Sequence, residues 1–339
     1  MSKVKSNSSV NKIGKVFSGA GPVVALILLA VILSIVSGSF LSFENIMNIL
    51  KQTSVNSMIA IGMLVVLLTG GIDLSVGSMC ALASCLMGVA LRNFGIENSF
   101  LLILICIISG LLGGVINGLL YTGLDLPTPF IATLGTMQIY RGLAQIVTKA
   151  SPITGFPEGV KFLGAKTIAG FPVCFLAVVV VFVIFSVFLN NTSLGKKIYS
   201  VGGNKEASRV SGIDVKRIEL LVYVIAGLMS GIAALILTGR VGTALPTTGD
   251  TYAMDAIASC VIGGASFNGG KGTVLGTFIG ALLVQMIRNG LNLLGAQSDV
   301  QSVVIGIVVI GAVYMDVRRE KSSQRSKRQA QAQAHQAEA

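Results

Sequence analysis

Long apolar runs broken by short polar or glycine-rich stretches set the pattern of this chain. A bilayer core about 30 Å thick needs about 20 mainly apolar residues per helix. That template fits ten stretches: 21–41, 54–70, 73–91, 100–122, 129–148, 168–190, 219–240, 252–267, 273–295 and 299–317. The pattern predicts an all-α, polytopic transmembrane helix bundle. The stretches 54–70, 73–91 and 252–267 are short or interrupted by glycine, which predicts broken or re-entrant helices and leaves open a count of eight or nine spans. The first run, Gly21 to Leu41, follows basic residues as a secretion signal would. It is long and has many successors, so it reads as a retained span.

Glycine recurs at four-residue spacing within these runs, at Gly110, Gly114 and Gly118, at Gly227 and Gly231, and at Gly276 and Gly280. Small residues at that spacing let helix backbones approach closely in lipid. Two other apolar runs break at a glycine pair. One holds Gly70, Gly71, Asp73 and Ser75; the other holds Gly263 and Gly264 and continues to Gly269-Gly270-Lys271-Gly272. Broken helices of this kind line substrate paths in many transporters.

Composition sharpens the class. The chain of 339 residues is 53% hydrophobic and only 12% charged, whereas an ordinary globular protein carries about 25% charged residues. A soluble or disordered chain is excluded. The formal net charge of +11 would suggest nucleic-acid binding on a soluble protein, but its distribution points elsewhere. Lys3, Lys5, Lys12 and Lys15 precede the first span; Lys196, Lys197, Lys205, Arg209, Lys216 and Arg217 lie between the sixth and seventh; and Arg318, Arg319, Lys321, Arg325, Lys327 and Arg328 follow the last. Sixteen of the 25 basic residues thus fall on one side of a ten-span map. The positive-inside rule makes that side, with both termini, cytoplasmic. The organisation expected is a basic tail at 1–20, a membrane domain at 21–317 with a cytoplasmic loop at 191–218, and a basic, disordered tail at 318–339.

Much familiar chemistry is absent. The cysteines Cys80, Cys85, Cys106, Cys174 and Cys260 lie in apolar runs without metal-site spacing. His335 is the only histidine and sits in an Ala/Gln-rich tail, so this chain alone builds neither a histidine metal centre nor a Ser-His-Asp triad. The run Gly264 to Thr273 imitates a phosphate loop, but Ala265 and Gly272 occupy the required glycine and hydroxyl positions. No ATPase is recognisable.

The informative charges are those left inside the spans. Asp73 follows a glycine break, where it can cap orphan backbone donors or contact substrate, and Asp255 carries the same ambiguity. Arg141 and Arg288 must pair, face water or reach an interface. In the loop, Asn204 can cap a short helix with Ala207 and Val210 on one face, and Gly212 can end it. A helix that short is unstable alone and needs something to dock against.

The runs Leu68 to Ser78, Gly202 to Ile213, and Asp255 through Gly264 to Gly272 resemble, in order, the ribose-type permease subunits of bacterial sugar ABC importers. The resemblance spans about 21 to 317 and implies a multi-pass permease in the bacterial cell membrane. It also implies partners: a second permease subunit, as a homodimer in preference to a heterodimer, a cytoplasmic sugar-importer ATPase that holds the ATP and Mg, and an extracytoplasmic sugar-binding protein. No cofactor of its own and no nucleic-acid partner are expected. The resemblance assigns coupling to the ATPase to Gly202, Gly203, Asn204, Lys205, Glu206, Ala207, Ser208, Arg209, Val210, Ser211 and Gly212. Gating or pathway roles are expected for Gly70, Gly71, Asp73, Ser75, Arg141, Asp255, Gly263, Gly264 and Arg288, and sugar-facing polarity for Asn117, Thr133, Thr136, Gln138 and Gln285. The alternatives are an ABC permease for another small solute such as a branched-chain amino acid, an ion-coupled secondary transporter built on Asp73, Asp255, Arg141 and Arg288, and a non-transporting receptor or scaffold.

Overall fold

The computed structural model describes residues 8–124, 126–314 and 317–318. The expected disordered tail from Arg319 on, with His335, and Lys3 and Lys5 at the other end lie outside the described residues. The first helices are α1 (Ser8–Val36), α2 (Phe43–Leu68), α3 (Val76–Phe94), α4 (Ser99–Gly123) and α5 (Pro129–Thr148). A short excursion follows, with strand β1 (Ile153–Thr154), helix α6 (Glu158–Ala165) and the hairpin β2 (Thr167–Ile168) and β3 (Phe171–Pro172). Helix α7 (Val173–Asn191) leads to the basic loop, which folds as α8 (Ser193–Gly203) and α9 (Lys205–Val210). The chain ends in α10 (Val215–Val241), strand β4 (Thr243–Ala244), α11 (Tyr252–Ile262), α12 (Val274–Leu293) and α13 (Ser298–Tyr314).

Helices α2, α3, α4, α7, α10 and α12 are long and apolar enough to cross a bilayer. With the shorter apolar segments Gly21–Val36, Tyr252–Ile262 and α13, and the more polar 20-residue α5, they account for all ten stretches read from the sequence. The largest departure concerns α2, which begins at Phe43 instead of 54. Asn45, Lys51, Gln52 and Asn56 lower its hydropathy there, and three of them face protein and not lipid: Asn45 bonds Asn289 and Gln52 bonds Gln285, both of α12, and Asn56 bonds Ser259 of α11. The stretch 168–190 loses its first residues to the β2–β3 hairpin, and 252–267 ends as a helix at Ile262.

Local signals set the ends. Ser42, Asn98, Thr192, Asp214 and Thr273 each accept a hydrogen bond from the backbone amide three residues on, satisfying donors that a helix start leaves open. Pro129 starts α5, where its missing N–H costs nothing. With 11 residues, α11 is about 16 Å long, half the hydrocarbon thickness. It turns back through 263–273 into α12, and the two arms touch backbone to backbone where Gly263 meets Gly276 and Gly280 meets Ser259. The stretch 252–267 is thus a broken helix, as its glycine interruption suggested.

The centre of the bundle is α2, 83% buried over its apolar window against 28% for α4 and α7. Helix α10 lies against α4 along the glycine repeats: Gly110 meets Gly227 and Gly231, Gly114 meets Tyr223 and Gly227, and Gly118 meets Leu220. A Cβ on Gly227 would lie 2.6 Å from the Cα of Gly114, so these backbones touch. Gly227→Leu is therefore expected to force α4 and α10 apart at a cost of about 3 kcal/mol, the upper end for overpacking. A thermal melt in detergent checks this; Gly135→Leu, where nothing lies within 4 Å, is the neutral control.

Candidate functional site

Three glycine-rich runs meet at the end of the bundle that carries α8 and α9. The Leu68 carbonyl accepts a hydrogen bond from the Gly270 amide at 2.9 Å. Gly202 is wedged against the same carbonyl and against the Gly270 amide, with no room for a side chain, and Gly269 faces the Gly202 carbonyl. Gly70 (φ +78°) and Gly269 (φ +82°) adopt the left-handed backbone that glycine accepts without strain. The Tyr199 hydroxyl of α8 donates to the Gly272 carbonyl at 2.8 Å and closes the junction. Both helix breaks are thus joined to the basic loop at one point. The space beside Gly203, in contrast, is open.

Inside the first break, Asp73 is fully buried. Its Oδ1 accepts from the Ser75 amide at 2.8 Å and the Ser75 hydroxyl at 2.7 Å. Asn117 of α4 donates through Nδ2 to Ser75 Oγ at 2.7 Å and to Asp73 Oδ2 at 3.2 Å, and the Tyr140 hydroxyl donates to the Gly113 carbonyl at 2.9 Å beside it. Thr133 reaches the Ile72 carbonyl at 3.3 Å and Thr136 the Thr133 carbonyl at 3.3 Å. The Asp73 carboxylate thus organises the turn ahead of α3 through Ser75 and pins it to α4 through Asn117. Asn117, Thr133 and Thr136 have their polar groups turned into these helix contacts.

The charged pair Asp255 and Arg288 lies elsewhere. Asp255 Oδ1 is 2.7 Å from Arg288 Nη2, and Thr251 donates to the other oxygen at 3.3 Å. They line a cavity of about 290 Å³ between α2, α10, α11 and α12, together with Gln52, Asn56, Gln285, Asn292 and Gln301 and the guanidinium of Arg240. Two buried polar atoms there, Arg288 Nε and Asn56 Oδ1, have no partner. Amides with unspent hydrogen-bonding capacity beside these charged groups can meet the hydroxyls of a polar solute. Of its lining, the sequence had indicated only Asp255, Gln285 and Arg288. Gln52, Asn56, Asn292 and Gln301 were missed, although polar positions at 52 and 56, one turn apart, were the available signal.

Arg141 serves another group. It pairs with Asp250 at 2.5 Å and donates to the Pro246 and Thr248 carbonyls at 2.6 Å. It thereby holds the segment after β4, beside exposed Gln138. Asp73, Arg141 and the Asp255–Arg288 pair therefore have separate partners and do not assemble one ion-binding site.

Helix α9 is built as the sequence suggested, with Asn204 Oδ1 accepting from the Ala207 amide at 2.9 Å and Gly212 (φ +81°) ending it. Its ends are polar, Glu206 pairing with Arg209 at 2.7 Å, yet Ala207 is exposed and Val210 is 90% exposed. Ser208 and Lys205 face the bundle, Lys205 reaching Glu219 at 2.6 Å. Burial pulls the Lys205 ammonium down, but the hydrogen bond and charge of Glu219 outweigh it and hold the lysine above its ordinary value. Raised in this way, the pair persists at neutral pH and is lost only as pH climbs through that value.

A family model described as branched-chain amino acid transport system / permease component matches residues 45–313, which takes in both breaks, the junction and the cavity. The chain belongs to this permease family. The permease is 45% identical over 305 residues to the ribose import permease protein of Bacillus subtilis (strain 168), covering 89% of this chain and 93% of that protein. It is 40% identical over 302 residues to the ribose import permease protein of Escherichia coli (strain K12), covering 88% and 93%. It is 39% identical over 293 residues to the D-allose transport system permease protein of the same organism, covering 86% and 88%. No solved structure matches the chain. The permease is a multi-pass membrane transport component, not an enzyme.

Proposed function

We propose that this permease is the membrane-spanning subunit of an ATP-driven importer for a ribose-like monosaccharide, with both termini and the α8–α9 loop in the cytoplasm. Two copies form the pathway, an extracytoplasmic binding protein delivers the sugar, and ATP with Mg is bound and hydrolysed on a separate cytoplasmic ATPase. The observation that carries this reading is the convergence of both helix breaks on Gly202, at the base of an exposed helix too short to stand alone. Force applied to α9 reaches the breaks directly. The relatives that import ribose and D-allose favour a sugar.

The amides of the cavity favour it as well: Gln52, Asn56, Gln285, Asn292 and Gln301 offer the donors and acceptors that sugar hydroxyls need, while Asp255 and Arg288 neutralise each other and Arg240 adds one guanidinium to the wall. In the alternating-access cycle, closure of the ATPase on ATP moves α9, the junction at Leu68, Gly202 and Gly270 carries the movement into α2 and the α11–α12 hairpin, and hydrolysis resets it. The sugar must bind the two states with different affinity for transport to be coupled.

The docking assignment is tested with Arg209→Glu. Arg209 is exposed and its pairing with Glu206 is local, so the variant is expected to reach the membrane at the wild-type level and to lose ATP-driven uptake. Normal uptake by Arg209→Glu would remove α9 as the contact with the motor.

A further inference from the structure

The junction explains how the breaks touch the loop, but a six-residue helix between Asn204 and Gly212 also needs its orientation fixed. One polar cluster does so. The Lys205 ammonium lies 2.6 Å from Glu219 Oε1 on α10 and donates to the Tyr121 hydroxyl of α4 at 3.3 Å. The Tyr121 hydroxyl donates to the same Glu219 oxygen at 3.3 Å. Glu219 is only 7% exposed, so its carboxylate depends on these two groups for compensation. The cluster continues inward. The Tyr121 ring meets the buried Tyr223 ring edge to face, with centroids 6.0 Å apart, and the Tyr223 hydroxyl reaches the Ile72 carbonyl at 3.5 Å. Ile72 immediately precedes Asp73, whose contacts set the turn into α3.

We propose that Lys205, Glu219, Tyr121 and Tyr223 form a transmission link that carries displacement of α9 to the broken segment 69–75, with Glu219 as its positioning residue. The link rests on the reading of α9 as the motor-facing helix, and it adds a second route, through α4 and α10, to the glycine junction on α2. Glu219 is buried on α10 beneath α9. It acts by making the lysine at the base of α9 and the tyrosine pair move together. Two routes anchored on different helices convert a push on α9 into a tilt of the break and not a slide along one helix.

The test uses the complete transporter, permease with its ATPase and binding protein, reconstituted in liposomes with ribose as the probe. Three quantities are read: ATPase retained on purification, ATP hydrolysed, and sugar accumulated. Glu219→Gln keeps the shape and removes the charge that Lys205 needs; Glu219→Asp keeps the charge. Glu219→Gln is expected to retain the ATPase and its hydrolysis while sugar moved per ATP falls about tenfold, within the range for residues along a coupling network. Glu219→Asp should stay within about threefold of wild type on the same scale. A wild-type transport ratio in Glu219→Gln would overturn the link. So would equal loss in both variants with loss of bound ATPase, because Glu219 would then serve folding or assembly alone. Absence of ATP-driven uptake in the wild-type complex would instead contradict the functional reading itself and leave the link without a motor.

Discussion

Gly202→Val is expected to abolish ATP-driven uptake, whereas Gly203→Val leaves the fold of the permease intact. A side chain at 202 would collide with the Leu68 carbonyl and the Gly270 amide, both backbone atoms, so no rotamer change relieves it. The Gly270-to-Leu68 hydrogen bond would have to break, leaving buried polar groups unpaired at about 1–3 kcal/mol each. The expected result is a drop in uptake of about a hundredfold or more, as two such losses would give. Melting curves of the permease separate the two glycines: Gly202→Val should melt early and Gly203→Val as wild type. If Gly203→Trp, with open space around it, also stops transport, the obstruction lies against the partner.

Breaking the Asp255–Arg288 pair is the second large effect. Arg288→Met leaves a carboxylate that is 6% exposed without its counter-charge. Removing one partner of a buried pair costs about 3–5 kcal/mol, while replacing both by apolar groups is often neutral. Arg288→Met alone is therefore expected to melt much earlier than wild type, and Asp255→Leu with Arg288→Met to recover most of that loss. Uptake should stay low in the double variant, because the cavity has lost two of the polar groups that line it. Recovery of stability and transport together would show the pair to be structural only.

The bundle was legible because lipid imposes it: length and hydropathy alone located ten segments, and the glycine repeats on α4 and α10 proved to be a real contact line. The start of α2 was hidden for the opposite reason. Asn45, Gln52 and Asn56 look like an end to hydrophobicity, yet they answer Asn289, Gln285 and Ser259 across the bundle. The Gly70, Gly202 and Gly270 runs were each visible as motifs, but their meeting depends on chain reversals that no local pattern encodes. Asp73 was visible as a charge within a span, but its partners Ser75 and Asn117 emerge only from the fold. Glu219 was not singled out because one acid at the start of a basic-flanked span resembles ordinary boundary charge. Its significance appears only when Lys205 and Tyr121 close around it.

The central claim, that motion of a separate ATPase enters this permease through α9 and moves a sugar, is tested most directly by uptake of labelled ribose into liposomes holding the complete complex. The account predicts accumulation that requires ATP and the binding protein, persists when the proton gradient is collapsed, and is lost in Arg209→Glu. Accumulation without the ATPase that disappears with the proton gradient would contradict it.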